Sequence, residues 1–291
     1  MHRPEDPRHH RLLSAWSGID NQRLRQILQQ VDHERPADFK PLMLGGQRIG
    51  WLAPEHIEPL CHRLPMCRRD AQAVTWEADA LDSRIRSSLL AQAAQQLREA
   101  GWIQGWRDEL YSYLGEIQDA PGPEHAEWFR MERAAFRFFG LRSHAVHING
   151  FRSDGHIWCG IRALSKATDP GRIDNLAAGG LPAGESLLDC AIRELHEEAG
   201  LPAEIAGRVQ AAGRVLTRRR EREGWHDEAL LVYNLMLPDG VVPRNIDGEV
   251  SDFLCLSPGE AMARMNEMTE DAAGVLAQGL LALRAASSEL T

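Results

Sequence analysis

Three glutamates on one turn of a predicted helix have the residue type and spacing best suited to chemistry. Glu194, Glu197 and Glu198 stand at i, i+3 and i+4, which places their side chains on one helical face. Carboxylates crowded in this way repel one another unless a cation lies among them. Because all-oxygen ligation favours a hard ion, the spacing predicts a Mg²⁺ or Mn²⁺ site rather than a merely solvated acidic face.

The flanking residues favour the metal site. Gly179 lies ahead of the helix, where the lack of a Cβ lets a backbone carbonyl approach a metal ion. Arg193 can hold a neighbouring carboxylate by charge-assisted hydrogen bonds, so we predict a catalytic role for it. Glu185, just before the helix, favours the positive end of the helix dipole. The predicted metal ligands are Gly179, Glu194, Glu197 and Glu198.

The sequence also defines the helix that carries the glutamates. Ser186 is a predicted N-cap, with Asp189 three residues later as its capping-box partner. Gly200 supplies the position that ends the helix, and Pro202 prevents it from restarting. Apolar residues recur at helical spacing between these limits and predict a single buried face: Leu188, Ala191, Ile192, Leu195 and Ala199.

Composition excludes several classes of protein. The chain of 291 residues has room for two domains, and its net charge of −9 argues against nucleic acid as a partner. Its five cysteines are scattered and match neither a zinc site nor a disulfide framework, which predicts a reducing cytoplasm. The first residues are too polar for a secretory signal, and no apolar stretch is long enough to span a membrane.

Two domains are predicted, with a boundary between residues 140 and 141. Residues 1–140 form a small α+β domain in this interpretation, and residues 141–291 form a mixed sheet between helices, so the fold class is α/β. The elements predicted for the first domain are a hairpin at 39–51, a helix at 82–100, a strand at 109–114 and a helix at 124–139. Those predicted for the second are strands at 145–151, 157–162, 211–217, 229–237 and 252–256, and a closing helix at 258–285.

Residues 179–201 fit the pattern G-x5-E-x7-R-E-U-x-E-E-x-G-U at every fixed position, where U is a bulky aliphatic residue. A chance match at one register is on the order of 10⁻⁹. This pattern is the Nudix box, and the chain resembles the Nudix hydrolase superfamily. The resemblance implies an α/β/α sandwich and Mg²⁺-dependent hydrolysis of a diphosphate bond in a small molecule. It also implies a homodimer, since many relatives form dimers.

A narrower resemblance is carried by phrases outside the box. Residues 105–111 (GWRDELY), 146–151 (VHINGF), 170–175 (PGRIDN) and 243–250 (PRNIDGEV) look like the thiamine pyrophosphokinase-related Nudix proteins. That branch implies hydrolysis of thiamine diphosphate, or of its oxidised and damaged analogues, to the monophosphate. The alternative within the superfamily is a broad-specificity hydrolase of nucleoside diphosphate derivatives such as ADP-ribose. A non-catalytic ligand sensor is a third reading, and the complete carboxylate set argues against it.

The same stretch also resembles isopentenyl-diphosphate isomerase, which shares the fold. That resemblance makes Arg162, Lys166 and Asn175 candidates for substrate binding, although two cations in a loop can also be merely solvated. The isomerase's catalytic cysteine falls at Ala178 and its metal-binding histidine at Gly180. Without the thiol, proton transfer to an alkene carbon has no evident acid, so hydrolysis is the preferred reading.

The general base and the pocket walls stay open at this stage. Glu194 is one candidate base, and Glu249, in a loop beside a late strand, is the other. His226 and Trp225 are candidates for the pocket border. Aromatic residues of the first domain, Trp102, Trp106 and Tyr111, can stack on a flat heterocycle or belong to the core.

Overall fold

The computed structural model describes residues 7–115 and 127–288, and two helices open the described chain. They are α1 (Pro7–Ala15) and α2 (Asn21–Gln30), and Asp20 caps α2 by accepting a hydrogen bond from the Gln22 backbone N–H. A four-stranded sheet follows in the order β2-β1-β4-β3. Its strands are β1 (Lys40–Leu44), β2 (Gln47–Leu52), β3 (Cys67–Arg69) and β4 (Val74–Trp76), flanked by α3 (Pro54–Cys61) and α4 (Ser83–Glu99).

The helix predicted for residues 124–139 is wrong over its described part. Residues 129–132 form strand β6 (Phe129–Glu132), which pairs with β5 (Leu110–Tyr113), and only a single helical turn, α5 (Phe136–Phe139), follows. Phe129 and Met131 are buried and Arg130 between them is exposed, which is the period of two of a strand. The apolar residues at 128, 131, 135 and 138 fit helical spacing equally well, and pairing with β5 decides between the two.

A mixed seven-stranded sheet forms the centre of the later part of the chain. Five strands run in the order β11-β12-β7-β8-β13; β10 pairs with β7 and β9 with β8. The β7–β12 pair is parallel, and the other pairs are antiparallel. The strands are β7 (Arg142–Phe151), β8 (Ile157–Arg162), β9 (Ile173–Asp174), β10 (Ala177–Gly180), β11 (Gln210–Glu221), β12 (Gly224–Met236) and β13 (Val250–Leu256).

Helices cover both faces of this sheet. On one face α6 (Leu187–Ala199) and α7 (Ala203–Ala206) share a core with Val146 and Leu231; on the other, α9 (Glu270–Ser288) packs over Ala145 and Leu230. Neighbouring residues of a strand point to opposite faces, so this alternation follows from strand geometry. The predicted α/β sandwich with a mixed sheet is confirmed.

The closing helix predicted at 258–285 is two helices. The first, α8 (Pro258–Ala263), begins at a capping box formed by Ser257 and Glu260, and α9 begins seven residues after α8 ends. Between them Met268 pairs with Ile173 of β9, and the Thr269 hydroxyl accepts a hydrogen bond from the Ala272 backbone N–H. This backbone pairing turns the chain, so a single helix cannot run through.

The first two helices lie on the later sheet. Leu12, Trp16 and Leu24 belong to the core cluster of Phe151 and Leu276, while a separate cluster fills the interior between residues 42 and 141. The Trp16 indole N–H also donates to the Gly155 carbonyl at 2.8 Å. The boundary between residues 140 and 141 stays a prediction. No helix in the described part of the chain is long and apolar enough to cross a membrane.

Candidate functional site

The glutamate-bearing helix α6 begins and ends where its capping residues stand. The Ser186 hydroxyl accepts a hydrogen bond from the Asp189 backbone N–H at 3.1 Å, and Gly200 adopts a left-handed conformation with φ of 65°. The Leu201 N–H then returns to the Leu195 carbonyl at 3.0 Å, which closes the helix end. A loop of six residues separates β10 from α6. Because the caps fix where α6 begins and ends, and the loop is short, they determine which residues of α6 lie near β10.

Arg193 ties the carboxylates of this helix to the loop before it. Its Nε and Nη2 atoms donate to the two oxygens of Glu185, both at 2.9 Å. Its Nη1 atom donates to Glu194 at 2.6 Å and to Glu197 at 3.0 Å. One guanidinium thus holds three carboxylates, and this fork geometry is available to arginine but not to lysine.

Two of the three predicted ligand carboxylates are buried. Glu194 and Glu198 are 8% and 6% exposed, whereas Glu197 is only partly buried. Burial raises the pKa of Glu194 to about 7, against the opposing charge of Arg193. Burial likewise raises the pKa of Glu198 to about 8, against the Ala178 N–H and Lys166. Both carboxylates therefore need a proton or another positive charge to stay in place at neutral pH.

The residues present fit a hard divalent cation. The Glu194 carboxylate lies against bare backbone, because a Cβ on Gly179 would stand 1.8 Å from its Oε1 atom. Glu198 is oriented by the Ala178 N–H, which donates to its Oε2 atom at 2.9 Å. The donors gathered here are oxygen atoms, as Mg²⁺ and Mn²⁺ prefer. The structure thus brings Gly179, Glu194 and Glu198 together, with Glu197 joined to Glu194 through Arg193.

Glu249 reaches the same place from the other side. The Lys166 ammonium donates to Glu249 and lies 3.8 Å from the Glu198 Oε1 atom. Partial burial acts to raise the pKa of Glu249, but Lys166 outweighs it and holds the pKa below its ordinary value. The loop before β13 is anchored to the end of α6, because the Asp247 N–H donates to the Glu197 carbonyl at 3.2 Å. Lys166 and Glu249 thus border the carboxylate cluster.

Arg162 and Asn175 do not join the carboxylates. Arg162 donates to Asp174 at 2.6 Å and to the Thr168 carbonyl at 3.0 Å, so it braces its own loop. Asn175 is 5% exposed and belongs to an interior amide network, where it meets Asn149 at 3.1 Å and the His147 ring at 2.9 Å. A role in substrate binding therefore has no geometric support for Asn175, because its hydrogen-bonding groups are engaged inside the fold.

A cavity of about 620 Å³ opens beside the cluster, between the first part of the chain and the sheet. Tyr111 and His226 line it, as do Arg107, Arg133 and Glu228, which sequence reasoning did not single out. The one signal for Glu228 was a charged residue at the start of an otherwise apolar strand. The other proposed wall residues lie elsewhere: Trp225 packs on Phe39 at 5.7 Å and Trp102 on His56 at 5.9 Å.

Comparison with known proteins divides the chain in two. Residues 22–143 match the family described as a domain of unknown function (DUF4743), and residues 140–278 match the NUDIX domain family. Nudix hydrolase 24, chloroplastic, and Nudix hydrolase 20, chloroplastic, of Arabidopsis thaliana are each 39% identical over 171 residues. That is 58% of this chain but 45% and 44% of theirs, so the chain spans less than half of these relatives.

Among solved structures, the chain is similar to DR0079 from Deinococcus radiodurans at 19% identity and a TM-score of 0.41. The match covers 58% of this chain and 98% of that one.

The predicted cytoplasmic location is wrong in the light of these relatives, both of which are named chloroplastic. The prediction rested on cysteine usage, and the five cysteines are free thiols in the structure. Free thiols indicate a reducing environment without saying which one, so they do not single out the cytoplasm.

The matched segments overlap at residues 140–143, where the two parts of the chain meet. The Nudix box at residues 179–201 lies inside the second segment, and all of its fixed residues are present. In the fold, this box supplies the glycine, the arginine and the glutamates of the cluster. Residues 140–278 therefore form a Nudix domain.

Proposed function

We propose that this chain is a divalent-metal-dependent hydrolase of the pyrophosphate bond in a small molecule. We propose further that thiamine diphosphate, or an oxidised or damaged analogue of it, is converted to the monophosphate. The observation that carries the reaction class is the cluster itself: Glu194 and Glu198 are buried beside the bare backbone of Gly179, and Arg193 fastens the first of them.

Each residue of the cluster has a separate task in this proposal. Glu194, Glu197, Glu198 and the Gly179 carbonyl hold Mg²⁺ or Mn²⁺. A bound divalent ion supplies charge that neutralises the diphosphate and makes a water molecule more acidic. Arg193 keeps the glutamates in one orientation, and Lys166 adds a positive charge at the edge of the site.

Two carboxylates are candidates for the base that accepts the proton of the attacking water. Glu194 lies inside the cluster, and Glu249 is linked to it through Lys166. Replacing each glutamate by glutamine removes its basicity with little change of shape. Glu249 is the base if Glu249→Gln lowers kcat without weakening metal binding, and Glu194 is the base if Glu249→Gln keeps kcat.

The geometry argues against the isomerase alternative. In that reading the metal-binding histidine would fall at Gly180, but a Cβ there would lie 1.5 Å from the Tyr111 hydroxyl oxygen. A side chain at this position would therefore have to displace the Tyr111 ring. The substrate proposal rests instead on the thiamine pyrophosphokinase-related phrases in both halves of the sequence.

The test is a hydrolysis assay on purified protein with Mg²⁺ or Mn²⁺, using thiamine diphosphate, oxythiamine diphosphate and ADP-ribose, with products identified by mass. We expect monophosphate release that chelation abolishes, with a higher kcat/KM for the thiamine compounds. Glu197→Gln and Glu198→Gln should lose most of this activity, and Glu204→Gln, an exposed glutamate of α7, should keep it. Unchanged turnover in both cluster variants would refute the proposed reaction. A preference for ADP-ribose would refute only the proposed substrate.

A further inference from the structure

The cavity beside the cluster is built from both parts of the chain. Arg107, Tyr111 and Arg133 come from the segment before residue 140, and Ser143, His226 and Glu228 come from the sheet. Its volume of about 620 Å³ lies within the range of pockets that enclose a small organic molecule. Neither part of the chain alone makes this enclosure.

The cavity adjoins the carboxylate cluster. Arg107 and Arg133 line the cavity, and their charges act on Glu249. Residues 167–169 also line it, directly after Lys166, which contacts Glu249 and lies 3.8 Å from Glu198. A molecule whose diphosphate occupies the cluster therefore has this cavity as the adjacent enclosure for its remaining part.

The inner wall of the cavity carries an unusual pair of side chains. His226 is 4% exposed, and its Nε2 atom has no hydrogen-bond partner among the described residues. That atom lies 3.7 Å from Glu228 Oε2. The other carboxylate oxygen, Oε1, accepts a hydrogen bond from the Ser143 hydroxyl at 2.7 Å, which fixes the orientation of Glu228. A buried polar atom without a partner is costly, so this wall is suited to a ligand that supplies one.

Two arginines near this wall form their closest ion pairs with other carboxylates. Arg137 is paired with Glu221 at 2.7 Å, and Arg133 with Glu109 at 2.6 Å. Glu228 thus presents a negative charge to the cavity. A ring that carries positive charge or N–H groups would satisfy both Glu228 and the His226 nitrogen.

We infer that His226 and Glu228 bind the end of the substrate remote from the diphosphate, and that this end is a cationic or amine-bearing heterocycle. The inference rests on the proposed function for the position of the diphosphate. It assigns substrate choice to the cavity wall and bond cleavage to the glutamate cluster. Tyr111 forms part of the side wall of this cavity.

A metal ion is the competing occupant of this wall. Glu228, His226 and Asp271 offer ligand atoms within 4.8 Å of one another. However, Asp271 already accepts hydrogen bonds from Thr217 at 2.8 Å and from Arg219 at 3.1 Å. The Arg219 guanidinium already supplies the positive charge that a metal ion would bring to Asp271. An organic ligand is therefore the better match for His226 and Glu228.

The test separates the cavity from the catalytic cluster by using thiamine, which has no phosphate, as a calorimetric probe. We expect wild-type protein and Glu198→Gln to bind thiamine with equal affinity. Glu228→Gln should bind thiamine at least about tenfold more weakly. Glu55→Gln removes an exposed carboxylate next to Arg220 and should bind like the wild type. Because thiamine binding is measured without turnover, it tests the cavity even if the protein does not hydrolyse the proposed substrate.

Further measurements guard against a folding defect. Unmodified protein should bind thiamine monophosphate about tenfold more tightly than ribose 5-phosphate, which carries a phosphate but neither a positive charge nor an amine. In kinetics, Glu228→Gln should raise KM for thiamine diphosphate far more than it changes kcat. The inference is overturned if wild-type protein does not bind thiamine, if ribose 5-phosphate binds as tightly as thiamine monophosphate, or if Glu228→Gln leaves thiamine affinity and KM unchanged. A bound metal ion that Asp271→Asn removes would overturn it as well.

Discussion

Replacing Gly179 by alanine tests whether the position of one carboxylate controls the reaction. A Cβ at residue 179 would stand 1.8 Å from the Glu194 Oε1 atom and 2.0 Å from its Cδ atom. Ordinary van der Waals contact begins near 3.4 Å, so the carboxylate must retreat by the difference, 3.4 − 1.8 = 1.6 Å. The backbone of β10 is held by pairing with β7, which leaves the end of the Glu194 side chain to move.

The size of the effect follows from that displacement. A misplacement of about 1 Å in a catalytic site can cost roughly a hundredfold in rate. We therefore expect kcat/KM for Mg²⁺-dependent hydrolysis to fall at least about a hundredfold in Gly179→Ala, equivalent to about 2.7 kcal/mol. Stability should change little, because the atom that moves is the end of a side chain. The melting temperature should stay within a few degrees of wild type.

The assay pairs steady-state kinetics with thermal unfolding, and Gly259→Ala serves as the matched control. Gly259 lies in α8, where an added Cβ meets nothing within 4 Å. Its replacement should leave activity unchanged and stabilise the helix slightly. Full activity in Gly179→Ala would show that Glu194 need not occupy its observed position, which would refute this account of the cluster.

Three further predictions concern other residues. Arg193→Lys keeps the charge but loses the fork to the carboxylates, so kcat/KM should fall about 10- to 100-fold; wild-type kinetics in a folded variant would contradict this. Gly140→Ala should lower the free energy of unfolding in urea by about 2–4 kcal/mol, because its Cβ would stand 1.9 Å from the Trp51 carbonyl oxygen; an unchanged urea midpoint would argue against the clash. Burial lowers the pKa of His56, which stacks on Phe138 at 4.1 Å, so the unfolded state takes up this proton first as the pH falls. The free energy of unfolding of the wild type should therefore decline below about pH 6.5, more steeply than that of His56→Gln. Equal pH dependence of the two free energies, measured by urea titration, would refute the role given to His56.

The carboxylate helix could be predicted from the sequence because its determinants are local. Ser186 and Gly200 fix its ends, and the spacing of its glutamates fixes their common face. The strand at 129–132 could not be predicted from the sequence, because its apolar residues fit helical spacing as well. Pairing with β5, which lies earlier in the chain, selects the strand. The interior position of Asn175 could not be predicted for a similar reason. Its partners, Asn149 and the Ala272 carbonyl, come from elements 26 and 97 residues away.

The same distinction explains why the box identifies a reaction more readily than a substrate. Its glycine, arginine and glutamates lie within 20 residues of one another, from Gly179 to Glu198, so a short motif specifies where the proposed reaction would take place. The cavity wall combines residues from before position 140 with Glu228, and the two parts are directly joined, because the Ala183 N–H donates to the Leu110 carbonyl at 2.7 Å. Strand β5 thereby braces the loop that leads into α6. Changes in the N-terminal part should consequently alter which molecule is cleaved while the box stays intact.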